Sequence, residues 1–160
     1  MVKKKFKISF LILYFFIFGC SANNFQIDPI PHNFEDLTFN VVQKKLVTET
    51  ELPDHIENLI TQWFDQRVKI NGFDGDMIFK ISEYNEEVSI ISEGKRIEVS
   101  LTFEVLLNKP SLSQIDQFKG KVNSYGELIG NFSLSEFDIV IQNTQTDLIM
   151  RLSQDLKSKL

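Results

Sequence analysis

Apolar positions recur along this chain with two periods, and the points where one gives way to the other mark its elements. Leu37, Phe39 and Val41 alternate with Thr38 and Asn40. That alternation predicts a strand running from Leu37 towards Val47, with Val42 and Gln43 disturbing it. Over residues 53–71 the period lengthens. Ile56, Leu59, Ile60, Trp63, Phe64 and Val68 recur at three and four, the apolar stripe of a helix. Pro53 suits its first position, Asp54 and Glu57 suit its positive end, and Gly72 is placed to stop it. Trp63 sits on the stripe and reads as core rather than as a binding aromatic.

Period two then returns. Met77, Phe79 and Ile81 begin a strand that continues, after a break at Asn85, as Val88 to Ile91. Ser92-Glu93-Gly94-Lys95 supplies a turn. Ile97, Val99, Leu101, Phe103, Val105 and Leu107 alternate with Arg96, Glu98, Ser100, Thr102 and Glu104, which predicts a long strand with one buried and one wet face. A loop from Lys109 to Gln117 leads to a last strand. Its Phe118, Gly120, Val122, Ser124 and Gly126 share a face, small enough for a helix to lie close. The chain ends in a predicted helix over 134–158. Ser133 and Glu136 form a capping box, Phe132 and Phe137 a staple, and Phe137, Ile141, Leu148, Leu152 and Leu156 an apolar stripe. The expected fold class is therefore α+β: an antiparallel sheet of about four strands with two helices on one face, in the order β-α-β-β-β-α, forming a single domain over 37–160.

The segment before that domain has a different character. Lys3, Lys4, Lys5 and Lys7 precede an apolar run from Ile8 to Phe18. As a helix the run would span ~17 Å, against ~30 Å for the hydrocarbon core of a bilayer. Residues 1–19 thus read as a signal peptide. The run ends at Ile17-Phe18-Gly19-Cys20, which resembles the lipobox of bacterial lipoproteins: a branched aliphatic, a small residue directly before the cysteine, then Cys. Phe18 is larger than that pattern usually holds. The resemblance implies lipidation of Cys20 with cleavage before it, and several acyl chains make such an anchor durable. Cleavage after Ala22 and retention as an uncleaved anchor are the competing readings. Residues 20–36, with Pro29 and Pro31, then form the lipidated cysteine and a flexible tether. Ser21 after the cysteine implies, by the sorting rule of enterobacteria, an outer-membrane address facing the periplasm.

Charge narrows the partners. The 160-residue chain carries 17 basic and 22 acidic side chains. Without the four leader lysines the basic count falls to 13 and the net charge to about −9. An acidic domain with no basic run is repelled by phosphate backbones, so nucleic acid is not an expected partner. The lone cysteine, Cys20, cannot form a disulfide within the chain. His32 and His55 are too far apart in sequence for a zinc set, so no metal is expected. Asp74-Gly75-Asp76 lacks the further ligands of a calcium loop and reads as a solvated turn. Glu86-Glu87 and the Glu49/Glu51 pair read as solvated face. No cofactor is implied, and no arrangement of nucleophile and base points to an enzyme.

The overall layout resembles the lipopolysaccharide-assembly lipoprotein and the auxiliary lipoproteins of lipid-transporting ABC systems. The residues carrying this likeness are the Ile17–Cys20 lipobox, the Thr102–Leu107 end of the long strand and the Leu148-Ile149-Met150-Arg151-Leu152 helix segment. It implies a non-catalytic adaptor or assembly component of a cell-envelope complex, held to the membrane and docked on an envelope protein. Arg96, Glu98, Ser100, Thr102 and Glu104, lined up on the wet face, are the expected docking row, against plain solvent exposure. The alternative is a module binding a lipid or small apolar ligand between sheet and helices, motivated by Gly120, Ser124 and Gly126.

Overall fold

The computed structural model describes residues 34–160. Two strands, β1 (Leu37–Phe39) and β2 (Gln43–Thr48), precede helix α1 (Asp54–Arg67). A short β3 (Val68–Ile70) follows, then three strands of 16 residues each: β4 (Asp76–Ile91), β5 (Gly94–Lys109) and β6 (Gln114–Ile129). Helix α2 (Leu134–Lys159) closes the domain. The main sheet has the order β2-β4-β5-β6, and β1 and β3 form a separate pair.

The α+β class and the two helices on one face match the sequence reading, but the sheet is mixed rather than antiparallel. β4, β5 and β6 make an antiparallel meander, whereas β2 runs parallel to β4. The cause is the connection. A parallel neighbour needs a crossover, and α1 carries the chain back to the end of the sheet at which β2 began. β2 is short and covers only Asp76–Ile81 of β4. From Glu83 onward β4 has no strand on that side among the described residues.

The first predicted strand is two strands. Its chain bends at Asn40 to Val42, where Gly72 N–H donates to Val41 O (3.0 Å) and Val42 N–H to Gly75 O (3.1 Å). A side chain at Gly72 would collide with the Asn40–Val41 backbone, so the glycine serves a close crossing rather than a helix stop. The helix itself ends at Arg67, four residues earlier than its stripe suggests. Val68, Lys69 and Ile70 pair instead with Leu37, Thr38 and Phe39 of β1. Lys44 of β2 reaches under the end of α1 and donates to Phe64 O (2.8 Å) and Val68 O (2.6 Å), with its ammonium 4.7 Å from the Phe64 ring centre. Phe64 O also accepts from the Val68 N–H that closes the helix, and a cation there complements the helix dipole. Burial pushes the Lys44 pKa down.

The core lies between the sheet and both helices. Phe79 is its centre: Trp63 meets it edge-on at 5.6 Å, and Phe103 stacks on it at 5.6 Å with 7° between the planes. Every member of the β5 set Ile97, Val99, Leu101, Phe103 and Val105 is buried. Each such side chain contributes ~1.5–3 kcal/mol by leaving water. Packing begins at Phe34, inside the stretch read as tether, since its ring is buried with Leu37 in the same core. β6 starts at Gln114 after the 3-10 turn Pro110–Leu112, so the loop expected up to Gln117 is shorter. At α2 the capping box is present: Ser133 Oγ accepts from Glu136 N–H (3.2 Å), and the Glu136 carboxylate accepts from Ser133 N–H (2.7 Å). Phe132 and Phe137 stack at 6.3 Å, as the staple requires.

Candidate functional site

Three places could hold a ligand or partner. The first is the space between α2 and β6. It is filled. A side-chain carbon at Gly120 would lie 2.5 Å from the Phe103 ring and 2.7 Å from an Asp155 oxygen. One at Gly126 would strike the Thr144 hydroxyl and lie 2.7 Å from a Val140 methyl. Ser124 Oγ donates to Asp147 (2.6 Å), which also accepts from Arg151 Nε (2.7 Å). Burial raises the Asp147 pKa, and the Ser124 and Arg151 hydrogen bonds outweigh it, so the carboxyl ends below its ordinary value. The small residues that suggested a ligand space let the helix approach instead.

The second place is a polar cluster where α1, α2 and β4 meet, with Gln145 buried, Tyr84 half-buried and His55 and Glu86 exposed. Gln145 of α2 is 1 % exposed. Its amide nitrogen lies 2.7 Å from His55 Nε2 and 2.9 Å from the Glu86 carboxylate. Tyr84 OH donates to Glu86 (2.6 Å). Burial, then the bond to Glu86, pushes the Tyr84 pKa up, so the phenol stays protonated. Glu86 reaches this cluster because a bulge between Ile81 and Glu83 shifts the register of β4. Beyond it Tyr84 and Glu86 turn to the helix side. Glu86 is exposed, as its sequence context suggested, and in addition accepts from Tyr84 and Gln145. The signal for this cluster was in the sequence: Gln145 falls four after Ile141 and three before Leu148, a polar residue on an apolar stripe. With the amide donating, the imidazole accepts, as a neutral ring with Nδ1 protonated does. The groups satisfy one another and hold three elements in register.

The third place is the outer sheet face. Arg96, Glu98, Ser100, Thr102 and Glu104 do share it, as expected. Its two ends are internally neutralised. Glu104 is paired with Lys119 (3.2 Å) and accepts from Gln117. The Gln117 bond, and after it Lys119, holds the Glu104 carboxyl below its usual range. Thr102 donates to Glu83 (3.1 Å). Arg96 Nε donates to Glu127 (2.8 Å) and its guanidinium lies 5.2 Å from the Tyr125 ring centre. The middle differs. Glu87 stands directly opposite Glu98 across the β4–β5 pair, an arrangement of like charges that destabilises a sheet and that Arg96, 3.5 Å from Glu98, relieves on one side only. Around it opens a shallow concavity of about 620 Å³ whose lining mixes the acidic Glu87 and Glu98 with the basic Lys121 and Arg151 and the polar Asn85 and Asn123.

The remaining residues singled out in the sequence are dispersed. Cys20 and His32 lie outside the described residues. Asp74 accepts from Ser111 N–H (3.0 Å) and Asp76 from the Asn108 amide (3.1 Å), so these carboxylates tie the 71–75 loop to the end of β5. Gly75, at φ 82°, permits that turn. Among the described residues no group of three or more His, Cys, Asp or Glu side chains could hold a metal ion, and no helix is long and apolar enough to cross a membrane.

No protein-family model matches the chain, and no curated protein matches it in sequence. Solved structures do match in shape. The minor lipoprotein from Acinetobacter baumannii superposes with a TM-score of 0.50 at 11 % identity, over 74 % of this chain and 94 % of that one. Rare lipoprotein B from Shewanella oneidensis gives 0.46 at 15 % identity, over 74 % and 96 %. Lipoprotein B from Nitrosomonas europaea gives 0.39 at 11 % identity, over 72 % and 82 %. The fold is thus one that a bacterial lipoprotein adopts, in keeping with the expected likeness of layout.

Proposed function

We propose that this chain is a lipid-anchored protein of the cell envelope that acts as a non-catalytic adaptor or assembly component of a lipid- or lipopolysaccharide-transport complex. The anchor is Cys20, and the address is the outer membrane facing the periplasm. The lipobox-like Ile17–Cys20 segment and a fold shared with a bacterial lipoprotein support the anchoring part. One observation carries the adaptor part. The helix side of the sheet is filled, whereas the middle of its outer face keeps Glu87 opposed to Glu98 over an open concavity. Arg96 answers Glu98 at 3.5 Å but not Glu87, and a fold that leaves one carboxylate of such a pair open at little cost in water gains once a basic partner neutralises it. The partner expected is an envelope protein presenting Lys or Arg to Glu87 at this concavity.

The test has two arms. Metabolic labelling with a clickable fatty acid should mark the wild type and not Cys20→Ser. A photo-crosslinking amino acid at Asn123, on the outer face, should capture an envelope protein that the same group at Gln154, on α2, does not. Equal capture from both positions, or none from either, refutes docking through this face.

A further inference from the structure

Several large apolar side chains are exposed at the end of the sheet where β4 begins and β5 ends. Phe73 is fully exposed (100 %), Ile115 71 %, Leu112 64 % and Val42 48 %. They stand on three segments tied to one another. Val42 N–H donates to Gly75 O, Ser111 N–H to Asp74, and Ile115 pairs with Asn108. These bonds matter because a loop that leaves water must satisfy its backbone within the protein.

We infer that this apolar tip seats in the surface of the lipid bilayer to which the chain is anchored. The inference rests on the anchoring reading for its choice of occupant. Three observations favour a bilayer. The first is where the described chain starts. Phe34 packs beside Met150, Ser153 and Lys157, in the second half of α2, and the chain from there runs through β1 to Val41 at the tip. Counted from the α2 start beside the β4–β5 turn, Met150 and Lys157 lie roughly 24–35 Å along the helix axis. The long strands measure roughly 50 Å. Phe34 is therefore closer to the Phe73 end than to the opposite end with Ile90. The second is length. The 13 residues between Cys20 and Phe34 reach at most ~45 Å, enough to let the tip touch the surface holding the acyl chains. The third is charge. Lys69 and Lys109 stand beside Ile70 and Pro110 at the base of the tip, where ammonium groups meet lipid headgroups, while Asp74 and Asp76 are tied down by Ser111 and Asn108.

The test uses the full chain, purified with its lipid and reconstituted into phosphatidylethanolamine–phosphatidylglycerol vesicles. Phe73→Trp and Ile90→Trp are compared with wild type, whose Trp63 is buried in the core and reports no lipid. Both substituted positions are exposed, so neither variant challenges folding. Phe73→Trp should give a blue-shifted emission that brominated acyl chains quench, and Ile90→Trp should not. Flotation of the protein with vesicles, lost in Cys20→Ser, reports the anchor separately. Flotation without quenching of Phe73→Trp overturns the seat and leaves the anchor standing. Quenching by excess vesicles without flotation supports the seat and refutes the anchor. Neither signal refutes both. A blue shift in whole envelopes that brominated lipid does not quench assigns the tip to a protein groove, and the bilayer seat is then wrong.

Discussion

Replacing Gly120 with alanine tests whether the helix–sheet layer is closed. The added carbon would lie 2.5 and 2.6 Å from two atoms of the Phe103 ring. Asp155, 2.7 Å away, can swing aside, but the ring cannot. Phe103 is fully buried, stacked on Phe79 at 5.6 Å, with the Lys159 ammonium 5.7 Å from its centre. Overpacking of this kind costs ~1–3 kcal/mol. Removing a glycine from a strand returns ~0.5–1 kcal/mol through the unfolded chain. The net expectation is a loss of about 1 kcal/mol, the difference of those two ranges near their centres. Urea unfolding followed by the emission of Trp63, the only tryptophan, measures it. With a slope of ~2 kcal/mol per molar, the midpoint should fall by ~0.5 M. An unchanged or higher midpoint would mean that space exists between α2 and β6, and the apolar-ligand reading would regain its footing.

Ser133→Ala should cost ~1 kcal/mol by uncapping α2, seen as a lower unfolding midpoint. The same box sets a pH dependence. Its hydrogen bonds from Ser133 hold the Glu136 carboxyl below its ordinary value of 4.5, so the folded state binds that proton less readily than the unfolded one. The contribution is whole above about pH 4.5 and fades as pH falls through the folded value; a midpoint-against-pH series in which Ser133→Ala keeps the wild-type acid slope would contradict this. Ser153→Ala removes the acceptor of the buried Trp63 Nε1–H, 2.7 Å away, and should cost ~1–3 kcal/mol with a shifted Trp63 emission. Glu87→Lys should stabilise the isolated protein by ~0.2–1 kcal/mol by relieving the opposition to Glu98, and should abolish crosslinking from Asn123; retained crosslinking would separate the charge pair from docking.

The clearest parts of the fold in the sequence were those with redundant signals. β5 carries an unbroken alternation along its buried face, and α2 has a stripe, a box and a staple that agree. The sense of β2 was not legible, because alternation specifies faces and not direction. β3 was hidden inside a helical stripe: Val68 satisfies both periods, and only the chance to pair with Leu37 decides for the strand. The bulge near Ser82 had the widest effect. A break read at Asn85 leaves Glu86 on an unremarkable surface, whereas the shift between Ile81 and Glu83 carries it to Gln145 and His55. The outer row from Arg96 to Glu104 was legible as a row. Which of its charges are neutralised was not, because that depends on the registers of β4 and β6.

The shortness of β2 has a consequence for life at a surface. Among the described residues it leaves β4 from Glu83 to Ile91 without a strand on the side away from β5, a template for edge-to-edge joining. Molecules tethered to one membrane meet in two dimensions, oriented alike and at high local density, which multiplies such encounters. Along that margin stands Glu87, with Glu83 and Glu86 beside it holding hydrogen bonds to Thr102 and to Tyr84 and Gln145. Two copies brought together there would set carboxylate against carboxylate, while a strand bearing lysine or arginine would meet attraction. On a chain anchored as proposed, such a margin would disfavour edge-to-edge joining of neighbouring copies.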